Sequence, residues 1–211
     1  MNSHPTETQD RPQTGRGSRR SFILGLLNGA FFRTSEAFMH PQTVLTWFLD
    51  QLGAANVLIA MINPIRRNSS FLLQLVVSGH LERQPVKQPF YRTVSYFRCA
   101  VLLVLAAAIA LMPPGSPWLL TVFFVIFTAY SVGAGLVMIP FMDIVGKVIP
   151  SERRGSFFGQ RLLWGGLLGI GASALTGYLL SEPDGLVFPL NVAVVIALGA
   201  VALAAGALML T

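Results

Sequence analysis

Arg33, Glu36 and His40 are spaced i, i+3, i+7, which puts a cation, an acid and an imidazole on one face of any helix that holds them. Arg66 and Arg67 follow Pro64 in the middle of another apolar run, between Asn63 and Asn68. A charge at the centre of a bilayer costs about 2.5–3.5 kcal/mol on insertion scales, so it turns toward a watery cavity or a partner. Two chemistries fit such a group. Glu36 can neutralise an arginine in an ion-pair network that ties two helices together. Alternatively, the surplus positive charge can bind an anionic or carboxylate-bearing small solute, with Arg33 and Arg66 as ligands. A proton carried by Glu36 and His40 is a third use, opposed by the arginines, which favour the ionised carboxylate. Adjacent Arg66 and Arg67 point about 100° apart on a helix, so one of them faces the cavity and the spacing leaves open which.

Whether these residues meet depends on the elements that carry them, and composition says what solvates those elements. Of 211 residues 53% are hydrophobic and 11% charged, and the mean hydropathy is +0.62. A soluble domain is about one quarter charged, so lipid is the expected solvent and an all-α membrane protein the expected class. The net charge of +6 does not point to nucleic acid, because the cations form bands between apolar runs and not a face with stacking aromatics. Cys99 is the single cysteine, and no Cys/His cluster has metal-ligand spacing. Neither a Gly-rich phosphate loop nor a serine elbow is present. The sequence therefore predicts no enzyme, no cofactor and no metal.

Residues 1–20 are polar and rich in Pro, Thr and Arg, which predicts a disordered tail. The bundle expected over 21–211 contains six runs near the ~20 residues that cross a bilayer, at about 22–48, 54–79, 93–112, 117–142, 155–180 and 187–210. Proline and glycine punctuate the breaks. Arg11, Arg16, Arg19 and Arg20 lie in the tail, Arg83, Lys87 and Arg92 in the second loop, and Lys147, Arg153 and Arg154 in the fourth. Loops one, three and five carry no Lys or Arg. The positive-inside rule then places both termini in the cytoplasm of a cell membrane, with the first run an uncleaved anchor. At 1.5 Å per residue, Arg33 and Glu36 lie about 18 and 22 Å into the first run, and Arg66 and Arg67 about 18–20 Å from the cytoplasmic end of the second. Those depths coincide.

Gly79, Glu82, Arg83 and Lys87 resemble the loop between helices 2 and 3 of major facilitator superfamily transporters, with Pro85 and Val86 where that family has a second glycine and a basic residue. The segment from Pro150 to Arg161, containing Glu152, Arg153, Arg154 and Gly155, is similar to the approach to helix 5 in bacterial members, where a Gly-rich span follows, here Gly165 to Gly171. Asn28-Gly29-Ala30-Phe31-Phe32 looks like the opening helix of such proteins. Together these cover about 22–210.

The resemblance implies the amino-terminal bundle of six helices, a 3+3 inverted repeat, from a bacterial inner-membrane transporter of twelve. It implies alternating access for a small solute, an anion among the candidates. It also implies a cytoplasmic latch made by Gly79, Glu82, Arg83, Asp143, Arg153 and Arg154, with Asp143 as partner of Arg83. The family needs two bundles, so the expected partner besides lipid is a second one, as a homodimer or a separate chain. A six-span component that only binds solute, or an inactive truncated fragment, is the alternative. Gly155, Gly159, Gly165, Gly169, Ser173 and Gly177 repeat every four residues within their pairs, a spacing that permits close helix packing and predicts an interior helix, either static or sliding.

Overall fold

The structure, a computed structural model, describes residues 15–81, 87–182 and 186–210, with the side chains of 15–18 and 69–81 left aside. Among these residues every regular element is helical: α1 (Gly15–Phe38), a π-helical turn (Pro41–Leu45), α2 (Thr46–Gln51), α3 (Asn56–Leu81), α4 (Gln88–Leu111), α5 (Pro117–Val148), α6 (Ser151–Leu180) and α7 (Leu190–Leu208). Four of them, α4 to α7, are long and apolar enough to cross a membrane. At 24 and 26 residues, α1 and α3 have the length, but polar and charged residues interrupt their apolar runs.

The structure differs from the sequence expectation at several points. The first run does not continue to residue 48. Pro41 disfavours the helical region for the residue before it, and His40 is extended at φ −65°, ψ 121°, so α1 stops at Phe38. Thr46 Oγ1 donates to the Pro41 carbonyl at 2.9 Å, and the chain resumes as α2. Gly53 then turns the chain at φ +68°, where a Cβ is disfavoured. On the other side, α5 runs through the expected charged loop to Val148, and α6 begins at Ser151, so only Ile149 and Pro150 connect them. Lastly, α6 is not interior. It is the least enclosed of the four apolar helices, and α7 is the most enclosed.

The helices form a row of neighbours: α6 against α1, α1 against α7, α7 against α4, α4 against α5, and α5 against α3. Glycines set how closely they approach. Along α1 and α6 the facing pairs are Gly25 with Phe157, Gly29 with Arg161, Arg33 with Gly165 and Ala37 with Gly169. Both members advance by four residues in the same direction, so the two helices run parallel. Across α1 and α7, Gly206 meets Asn28 and Phe31 while Gly199 meets Ser35 and Phe38, so those two are antiparallel. One apolar core lies between α2, α4, α5 and α7, where Phe48, Leu102, Leu105, Phe123 and Val192 are fully enclosed. Phe123 stacks on Phe127 with centroids 5.6 Å apart. A second core, with Tyr91, Val137, Phe141 and Phe157, lies between α4, α5 and α6.

Candidate functional site

Between these two cores lies a layer of polar groups, and Glu36 of α1 is its centre. Arg66 of α3 donates Nη2 to Glu36 Oε2. Tyr130 of α5 donates its hydroxyl to Oε1 at 3.3 Å, and Arg98 Nη2 of α4 stands 3.9 Å from the same oxygen. Arg98 also donates to the Tyr130 hydroxyl at 3.0 Å. Its guanidinium lies over the rings of Tyr130 and Phe32, 4.7 and 5.4 Å from their centroids. Four helices thus meet on one carboxylate. Arg98 is 1% exposed, and the space beside it, lined by Asn28, Phe32, Tyr91 and Ser95, amounts to about 10 Å³. That is at the lower limit for one water, so Arg98 is sealed into the scaffold.

A second polar group lies where α1 meets α6. Asn28 donates Nδ2 to the Tyr91 hydroxyl at 2.9 Å and to the Gly206 carbonyl at 2.8 Å, which leaves its Oδ1 to accept from Arg161 Nη2 at 3.2 Å. The Arg161 guanidinium lies over Phe141, 4.1 Å from the ring centroid. Its stem rests on Gly29 of α1, and one turn further along the Arg33 stem rests on Gly165 of α6. Arg33, Glu36 and Arg161 line a cleft of about 300 Å³ whose walls also include Tyr91 of α4, Met138, Phe141 and Met142 of α5 and Phe158 of α6. A wider recess of about 490 Å³ lies toward Arg20, Gln88 and Leu210.

Of the residues singled out by sequence, Arg33 and Glu36 line the cleft, and Arg66 pairs with Glu36 beside it. Arg67 is exposed, so Arg66 is the member of the pair that turns inward. His40 is exposed beyond the end of α1, with Thr43 Oγ1 3.3 Å from its Nδ1, and does not line the cleft. The helix stops before the i+7 position, so the common face that the spacing implies is lost there.

For the latch, Glu82 and Arg83 lie outside the described residues, and Gly79 falls within α3. Asp143 bonds Lys147 at 2.8 Å and Lys87 at 3.3 Å, tying the end of α5 to the start of α4. Arg154 donates to the carbonyls of Gly146 and Ile149 at 2.7 and 3.0 Å, closing the C-terminus of α5. Arg153 is exposed. Among the described residues no group of three His, Cys, Asp or Glu could hold a metal ion.

Arg98, Arg161 and Tyr130 are not among the candidate residues that the sequence singles out. The overlooked signal was depth. Arg98 is the eleventh residue of α4 and Arg161 the eleventh of α6, about 15 Å along each helix. No protein-family model matches the chain, and neither a characterised protein nor a solved structure matches it.

Proposed function

We propose that the chain is a bundle of six membrane-spanning helices that forms one half of an alternating-access transporter for a small solute, with the cleft between α1, α5 and α6 on the solute path. The reading draws most support from the pattern of helix neighbours. Exchanging α1 with α5, α3 with α6 and α4 with α7 turns the contact of α1 with α6 into that of α5 with α3, and the contact of α1 with α7 into that of α5 with α4. The contact of α4 with α7 maps onto itself. Two groups of three helices related this way are what an inverted repeat requires. The same pattern makes α1 and α3 counterparts of the apolar α5 and α6. Of the charges on these two helices, Glu36 and Arg66 face each other, which lowers the cost of placing them in a bilayer. Under this reading α3 and α6 stand at the two ends of the row, and a second bundle completes the path.

A cysteine at Met138, in a Cys99→Ser background, tests it. Met138 lines the cleft, so a membrane-impermeant methanethiosulfonate is expected to modify it in reconstituted vesicles. Modification only by a lipid-soluble reagent would mean that hydrocarbon and not water fills the cleft, and the proposal would fail.

A further inference from the structure

We infer that the cleft between α1, α5 and α6 is a binding site for a small amphipathic organic anion, its oxyanion head held by Arg161 and Arg33 and its apolar body against Met138, Met142 and Phe158; this rests on the six-helix reading above. The head group follows from charge. Glu36 already faces both Arg66 and Arg98, so its carboxylate is engaged away from the α1–α6 seam. Among the described residues no carboxylate lies within 4 Å of Arg33 or Arg161. The two therefore add cationic charge to a cleft whose one lining carboxylate, Glu36, is held by other arginines.

Arg161 is also incompletely bonded. Asn28 takes its Nη2, Phe141 covers one face, and Nη1 is buried with no hydrogen-bond partner among the described residues. A buried guanidinium nitrogen without an acceptor is unfavourable, and a carboxylate supplies the acceptor in a charge-assisted bond. Arg33 rests one turn further along the same seam, about 6 Å along the axis, within reach of the same head group.

The body of the ligand follows from the opposite wall. Met138 and Met142 are one turn apart on α5, and Phe158 closes the α6 side. Methionine and aromatic surfaces accept flat or aliphatic groups of varied shape. A bare inorganic anion would leave that wall without a partner. A volume of about 300 Å³ lies at the small end of ligand sites, which suits a compact organic acid.

Benzoate is the probe, benzamide its neutral isostere, and the sample is the full chain in maltoside micelles followed by thermal unfolding. Benzoate is expected to raise Tm saturably and benzamide to leave it unchanged. Arg161→Gln and Arg33→Gln should each weaken the benzoate response by roughly tenfold or more. Met142→Trp, which fills the apolar wall and keeps both arginines, should abolish it and serves if an arginine variant fails to fold. Equal responses to the two probes, or a wild-type response in the variants, would overturn the assignment. So would a benzoate response present in phosphatidylcholine nanodiscs and absent in phosphatidylglycerol ones, because the arginines would then be holding the headgroup of an anionic lipid. Thiol mapping of the loops on the same protein separates the two levels. A six-span topology without a benzoate response removes the anion site alone, whereas a different span number removes both.

Discussion

Removing the Glu36 carboxylate would leave Arg66 and the sealed Arg98 without the acid that both face. Breaking a buried pair from one side costs more than the pair contributes, since the remaining charge keeps its desolvation penalty. Glu36 and Arg66 are partly exposed, at 21% and 31% of their side chains, so the expected loss for Glu36→Gln is about 2–3 kcal/mol, at the low end for such pairs. Adding Arg66→Gln should restore part of it, and a double-mutant cycle in denaturant titrations measures the coupling. Additive losses would mean that the two groups do not interact. Tyr130→Phe removes one donor to Glu36 and one acceptor from Arg98, with an expected loss of about 1–2 kcal/mol in the same assay. Arg33, Glu36 and Arg66 could be picked out beforehand because a charge inside an apolar run is conspicuous. Arg98 and Arg161 could not, because each stands close enough to a cationic loop for topology to account for it. Asn28 and Tyr130 are ordinary residues until their partners are known.

Helix contacts at glycine make a sharper test than helix boundaries do. A Cβ on Gly133 would come 2.6 Å from Arg98 Cγ, and one on Gly29 would strike the Arg161 stem. Gly133→Ala and Gly29→Ala are each expected to cost about 1–3 kcal/mol by overpacking. Gly166 has open space where its Cβ would go, so Gly166→Ala should be neutral or slightly stabilising. Thermal unfolding of the three variants checks both signs, and equal effects would contradict the packing. Asp143→Asn removes the carboxylate that Lys87 and Lys147 share at the partly exposed junction of α4 and α5, with an expected loss below about 1 kcal/mol that shrinks as salt is added. At this scale the sequence was informative about the existence of helices and less so about their ends. The apolar runs are long, but Pro41 stops one of them early and nothing polar enough stops α5 at residue 142. The glycine spacing on α6 indicated that something approaches closely. It could not indicate from which side, and five of its glycines face open space.

In the molecule as a whole, the bands of Lys and Arg imply one orientation. With Cys99 replaced by serine, cysteines at Ser116 and Ser181 are expected to react with an impermeant maleimide from outside the cell, and one at Ser151 only after permeabilisation. Labelling of Ser116 and Ser151 from the same side would contradict the orientation. That the chain is helical, with helices apolar enough to cross a membrane, was legible from composition, because hydropathy is a summed property that survives local errors. The neighbour order of the helices was not, since it depends on which faces interlock. One feature of that interlocking bears on descent. Arg98, Arg161 and Arg33 each lie in a notch left by a glycine on the adjoining helix, so cation and notch can change only in a fixed order. A lineage that loses the arginine is free to fill the notch with a methyl group afterwards, whereas filling it first meets the collision with the arginine stem. Sister sequences should therefore keep the cation with its notch, lack the cation alone, or lack both, and the fourth combination should be missing.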